Sequence, residues 1–136
     1  MKTKNTFIIG AGRLGTSIAR SLNNHANVTI IDRNPEKIER LADYSGFVEV
    51  GDATDTQLLE NSGIRTADRV ILVTDDDNVN IFLADLCAYH YSVPEIFVRL
   101  KDSRKAKLVD PKAICICPFD LSLDFFAQHN ESEGKE

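Results

Sequence analysis

Gly10, Gly12 and Gly15 stand at G-x-G-x-x-G spacing, and Asp32 follows twenty-two residues after the first of them. These are residue types that hold an adenine nucleotide. The first glycine permits a tight turn off a strand, the second lets the backbone come close to a pyrophosphate, and the third lets a helix pack without a Cβ in the way. Free N–H groups at the helix start then face the anion. A carboxylate at Asp32 accepts hydrogen bonds from the two ribose hydroxyls of an adenosine. Three glycines alone are a weak signal, and the acid in register strengthens it. The competing reading makes Asp32 a cap for the helix that begins near Pro35. Arg13 lies inside the loop, in the first helical turn, where a cation opposes the helix dipole; a bound polyanion accounts for it, and a solvated arginine is the alternative. Asp32 disfavours a 2′-phosphate on the ribose, while Arg33 beside it partly offsets that charge.

The elements that must position these residues are legible as alternating strands and helices. Phe7, Ile8 and Ile9 form the strand that feeds the loop, and Thr16, Ile18, Ala19 and Leu22 continue the helix that leaves it. Further strands are expected over 28–31, 47–50, 69–73, 95–99 and 113–117, with helices over 35–44, 55–62, 78–91, 104–109 and 119–129. The fourth strand is apolar without alternation, as when helices cover both faces of a parallel sheet, so it belongs near the centre. Right-handed crossovers then dictate a Rossmann-like, doubly wound α/β fold: one domain over 4–129, six parallel strands in the order 3-2-1-4-5-6, a C-terminal amphipathic helix and a polar tail over 130–136. A ligand belongs at the carboxyl ends of the strands. Gly12, Asp32, Asp52, Thr74 and Arg99 all fall at or just past such ends.

With 136 residues and a net charge of −5, the chain has length for one core and lacks the cationic excess of a nucleic-acid surface. No apolar run approaches the ~20 residues of a bilayer span, and no signal peptide is apparent, so the expectation is a soluble protein without direct membrane insertion. Cys87, Cys115 and Cys117 sit in apolar runs and read as small buried hydrophobes in a reducing compartment. The triplet Asp75-Asp76-Asp77 reads as capping for the following helix, with a divalent cation shared with nucleotide phosphates as the alternative. His25, His90 and His129 have no metal-ligand spacing. Arg99, Lys101, Arg104, Lys105, Lys107 and Lys112 form a locally basic stretch, read as a solvated face. Phe119, Leu121, Leu123, Phe125 and Phe126 are more apolar residues than one helix contact with a sheet would bury, which calls for a second covering surface.

Gly10-Ala11-Gly12-Arg13-Leu14-Gly15, Ile31-Asp32, Gly51-Asp52-Ala53-Thr54, Val73-Thr74 with Asp76, Asp77 and Asn80, and Val98-Arg99 together resemble the RCK/KTN domain. This is the Trk-type N-terminal domain that regulates potassium channels and transporters, and the resemblance covers about 4–126. It implies a non-catalytic cytoplasmic domain, peripheral to the inner face of the membrane through a channel or transporter subunit. It also implies a homodimer or higher oligomer that exchanges the last helix. The implied ligand is NAD(H) or an adenine nucleotide, ATP, ADP or AMP. Arg13 and Arg99 would lie near its phosphates, Asp32 on the ribose, Asp52 and Ala53 beside the adenine, and Thr74 near the pyrophosphate. Gly10, Gly12, Leu14, Gly15, Arg33 and Asp75 complete the expected cofactor-binding set. Two departures stand out: 108–113 reads Leu-Val-Asp-Pro-Lys-Ala where such domains often carry Leu-x-x-x-Gly-Ala-Asp, and the smaller lobe that often follows is not expected within these residues. The alternative from another class is a fragment of an NAD-dependent oxidoreductase or a redox-sensor subunit, against which the length leaves no room for a substrate domain.

Overall fold

Runs of β-branched and aromatic residues at regular spacing build a single parallel sheet, as their continuous hydrophobicity requires when both faces are covered. The computed structural model describes residues 3–23 and 26–130; His25 and the tail beyond Asn130 lie outside them. Among the described residues the strands are β1 (Lys4–Ile9), β2 (Ala26–Asp32), β3 (Phe47–Val50), β4 (Arg69–Leu72), β5 (Glu95–Arg99) and β6 (Ile114–Ile116). Their order is β3-β2-β1-β4-β5-β6, all parallel. The helices are α1 (Arg13–Leu22), α2 (Pro35–Glu39), α3 (Thr56–Asn61), α4 (Asp77–Asp85) and α5 (Pro118–His129). Strand order reverses between β1 and β4, and the connections leaving those two strands part to opposite sides, which opens a crevice at the carboxyl ends.

Alternation along β1 explains the two-sided core. Phe7 and Ile9 point into one cluster with Val70, Leu72, Leu83 and Ile96. Ile8 points into the other, with Val28, Ile30, Ile71 and Ala19. Ile9 pairs with Ile31 on one side and Leu72 on the other, so the three strands end level. The backbone ladder then runs one residue further: Gly10 N–H donates to the Ile31 carbonyl at 2.8 Å, Val73 N–H to Ile9 at 2.9 Å, and Gly51 N–H to Asp32 at 3.0 Å.

Three helical segments depart from the sequence expectation, each for a local reason. The helix expected over 35–44 stops at Glu39, because Leu41 and Tyr44 bond back only three residues, to Ile38 and Leu41, at 3.0 and 2.8 Å. That tighter winding buries Leu41 and brings the Tyr44 hydroxyl to the Val28 carbonyl at 3.3 Å. The helix expected over 78–91 is α-helical only to Asp85 and widens into a π turn over Leu86–His90, in which Tyr91 N–H reaches back five residues to Leu86 at 3.2 Å. Cys87, Ala88 and Tyr91 are all buried by it, and burial pushes the Cys87 thiol up to about 12. The segment after β5 is a 3-10 helix, Ser103–Leu108, capped by the Asp102 carboxylate on Arg104 N–H at 3.0 Å. Cys115 and Cys117 are half-buried, less enclosed than their apolar surroundings predict.

The glycine loop is held by close backbone packing. Gly10 has φ +113°, and a Cβ there would lie 2.7 Å from the Val73 carbonyl oxygen and 2.8 Å from Thr74 N. A Cβ on Gly15 would overlap the Gly10 carbonyl oxygen. Gly10→Ala therefore meets both a disfavoured φ and immovable backbone, and we expect it to destabilise the fold by roughly 2–4 kcal/mol. Urea denaturation of both proteins measures this directly; a loss under about 1 kcal/mol means that the loop relaxes freely.

Candidate functional site

A cleft of about 400 Å³ opens at the carboxyl ends of the strands, within the usual size range of ligand pockets. Every one of the first five strands contributes. Gly10 and Gly12 line it from the turn after β1, Asp32 and Arg33 from the end of β2, and Asp52 with Ala53 from the turn after β3. Thr74 and Asp75 follow β4, and Arg99 closes β5. A Cβ on Gly12 would meet nothing within 4 Å, so that glycine faces open space on the cleft wall.

Asp32 is fixed by the backbone on both sides. Its Oδ2 accepts from Ala11 N–H and its Oδ1 from Asn34 N–H, each at 2.8 Å. The cap of α2 is Asn34, whose side chain accepts from Glu36 N–H at 3.0 Å. Asp32 thus ties the glycine loop to the turn after β2, and remaining lone pairs on its oxygens are available to ribose hydroxyls. Asp52 folds back on its own turn, with Oδ1 accepting from Thr54 N–H at 2.9 Å and Thr54 Oγ1 at 2.7 Å. The Thr54 hydroxyl first, then its N–H, hold the Asp52 carboxyl below its ordinary range. Its contribution to stability is therefore present at neutral pH and lost as pH falls through the lowered folded-state value.

Asn80 secures the opposite rim. It is fully buried, and its Oδ1 accepts from Thr74 N–H at 3.2 Å and Thr74 Oγ1 at 2.6 Å. Its Nδ2 donates to the Thr74 carbonyl at 3.1 Å and to the Arg99 carbonyl at 2.9 Å. One amide clamps the ends of β4 and β5 together. The aspartate triplet divides its labour: Asp76 caps α4 through Asn78 N–H at 2.9 Å, while Asp77 accepts from Lys101 N–H at 2.8 Å and Asp102 N–H at 3.0 Å. Asp75 lies exposed on the cleft wall. No group of three metal-ligating side chains is gathered among the described residues.

Three expected residues stand apart from the lining. Arg13 is exposed on the first turn of α1, Leu14 packs beside the core below it, and Gly15 is buried behind Gly10. Gly15 acts by allowing contact, so its place behind the loop is the one its chemistry requires. The cleft also holds Asn34, Lys37, Thr54, Asp76 and Val79, which were not foreseen as lining. Side chains lean toward the N-terminus of their helix, so Lys37, third in α2, reaches back over the end of β2; that lean was the available signal.

Two features test whether a phosphate-bearing ligand fits. Arg99 is part-buried in the cleft wall, and its Nε is a buried donor without a protein acceptor. Gly10 and Gly12 put bare backbone opposite. An arginine in the wall of a cleft that exposes glycine backbone suits an anionic ligand. The residues present fit a nucleotide: the glycine loop and Arg99 would take phosphate oxygens and Asp32 the ribose hydroxyls.

Sheet order, crevice and glycine turn define a Rossmann-like nucleotide-binding domain. The family model of the TrkA-N domain matches residues 6–114, and the chain belongs to that family. It is 41% identical over 108 residues to a Trk system potassium uptake protein TrkA homolog from Pyrococcus abyssi, covering 76% of this chain and 47% of the relative. It is 35% identical over 98 residues to the Trk system potassium uptake protein TrkA of Mycobacterium tuberculosis, covering 71% of this chain and 44% of that protein. The match therefore spans about half the length of these relatives. Among solved structures, GsuK bound to ADP superposes with a TM-score of 0.77 at 29% identity, over 98% of this chain and 35% of that one.

Replacing Asn80 by alanine removes a partner from Thr74 N–H and from two carbonyls at once. We expect a loss of about 2–4 kcal/mol, since buried groups left unpaired cost more than the net value of a hydrogen bond. Chemical denaturation checks it; a change within about 0.5 kcal/mol, as at an ordinary surface position, means that water replaces the clamp.

Proposed function

We propose that this chain is a non-catalytic regulatory domain, working at the cytosolic face of the membrane, which binds NAD(H) or an adenine nucleotide and conveys its ligand state to a potassium channel or transporter. The Arg99 guanidinium, carried on the wall of the cleft that the glycine loop also lines, is the observation that carries the ligand class. The names of the relatives as potassium uptake proteins support the physiological setting, and the ADP-bound GsuK structure supports an adenine nucleotide. No helix of the described residues is long and apolar enough to cross a membrane, which suits a domain that reaches the membrane through a partner. The cleft contains no histidine, and its lysine lies at the β2 end, away from the β4 and β5 ends where a dehydrogenase works on its substrate.

Ligand state is useful to a partner only if two arrangements of the protein differ in affinity for the ligand. The natural second element is α5, which leaves β6 through Pro118 and packs little against its own domain. Phe119 is 69% exposed, Phe125 65% and Phe126 63%. We read this helix as the contact of a homodimer or larger assembly.

Calorimetric titration with AMP, ADP, ATP and NADH tests the ligand class, and Asp32→Ala tests the site. Losing charge-assisted hydrogen bonds of roughly 1.5–3 kcal/mol each should weaken every adenosine ligand at least about tenfold. Unchanged affinity in the variant removes Asp32 from the site, and no binding by wild type at millimolar concentration removes the nucleotide.

For α5, burial of one such aromatic contributes about 1.5–3 kcal/mol, so Phe125→Asp should split the assembly while leaving nucleotide affinity in place. Light scattering at micromolar concentration decides it: a monomeric wild type refutes the assembly, and an intact variant oligomer moves the interface elsewhere.

A further inference from the structure

We infer that Arg33 selects the base of the bound nucleotide, its planar guanidinium stacking on a purine at the adenosine end of the cleft. The inference rests on the nucleotide-binding reading above and deepens it by giving the site a base preference. Arg33 follows β2 directly and lines the cleft beside Asp32. It is exposed, and no ion pair or side-chain hydrogen bond engages it among the described residues. The near charge is Asp52, whose carboxylate is turned onto Thr54, accepting from its N–H at 2.9 Å and from its hydroxyl at 2.7 Å. Nothing in the protein holds the guanidinium, so a ligand is free to place it.

Elimination along the nucleotide leads to the base. The phosphates belong over the glycine loop and toward Arg99, and the ribose hydroxyls belong to Asp32. The Asp32 carboxylate, tied to Ala11 N–H and Asn34 N–H at 2.8 Å each, repels any phosphate at its own end of the cleft. What remains of the ligand near Arg33 is the base, which is uncharged and has two flat faces. Strands β2 and β3 are neighbours, with Asp32 level with Val50, so the turns that carry Arg33 and Ala53 stand side by side on one stretch of cleft wall. Ala53 is small and buried, and it adds apolar surface there. A guanidinium suits such a place: it is planar, weakly hydrated and stacks on π faces, and nucleobases are held on arginine planes in this way. The two fused rings of a purine offer that plane more surface than a pyrimidine does.

The test is calorimetric titration of the intact chain with AMP and UMP, which share ribose, phosphate and charge and differ only in the base. We expect AMP to bind more tightly than UMP, and Arg33→Ala to weaken AMP about tenfold, the scale of one stacked base, while costing UMP much less. Arg33→Lys keeps the charge and loses the plane, and it should leave AMP as weak as in Arg33→Ala. Arg33→Phe keeps a plane and loses the charge, and it should recover most of the AMP affinity. Thermal melting without ligand verifies that each variant is folded. Equal losses for AMP and UMP, or full recovery in Arg33→Lys, mean that Arg33 acts through its charge and overturn the inference. Unchanged AMP affinity in Arg33→Ala removes Arg33 from the base, and Arg33→Phe doing no better than Arg33→Ala overturns the stacked geometry. Each of these results leaves the nucleotide site standing, whereas failure of wild type to bind AMP, ADP, ATP and NADH alike removes the nucleotide reading itself.

Discussion

A single buried carboxamide holds the working end of this domain together. Asn80 sits in α4 with no solvent contact, and its four hydrogen bonds end on Thr74 and Arg99. Parallel strands do not close their own ends, because every connection must cross to the other end of the sheet. At β4 and β5 the amide supplies that missing closure, and a buried amide is tolerable only because each of its donors and acceptors is used. Thr74 and the end of β5 are held by that side chain, while Asp76 caps the start of α4 and Asp77 holds the chain after Arg99.

The other half of the cleft is set by close approach. Gly10 brings backbone within what would be 2.7 Å of a Cβ, and Gly15 admits no side chain because the Gly10 carbonyl occupies its place. The loop is thereby pressed against Val73 and Thr74, the same segment that Asn80 fixes from the opposite side. Asp32 adds the third restraint by tying Ala11 to Asn34. Loop, acid and amide form a continuous set of short contacts around the crevice.

Much of this was legible in sequence because strand identity here is written in uninterrupted apolar runs such as Val70 to Val73, and because glycine spacing has one geometric solution. The order of the sheet followed from handedness. Less legible were features that depend on tertiary fit. Pro35 announces α2, but its early end answers to the burial of Leu41 and Tyr44 against β2, which no local propensity encodes. The π turn over Leu86–His90, around which Cys87, Ala88 and Tyr91 are buried, is likewise not encoded in local helix propensity. Lys37 escaped notice because it lies five residues beyond the acid, on an element identified by Pro35 and its apolar spacing. Asn80 was recognised by its place in a motif, whereas its four partners come from two strands and emerge only when those strands lie side by side.

The restraints around the cleft differ in span. On the β4–β5 rim they join residues far apart in the chain, as where Asp77 accepts the N–H groups of Lys101 and Asp102. On the β2–β3 rim they are mostly closed within two residues, as in the Asp52–Thr54 and Asn34–Glu36 turns. Long-span restraints tie separate elements into one unit, whereas a closed local turn can shift as a piece. On the proposed reading the ordering entropy of binding is unevenly divided, the side assigned to phosphate being more fully prepaid in folding than the side assigned to the base. Under that reading, ligands that differ at the ribose or the base would be told apart by how well they fit the locally closed turns of that rim.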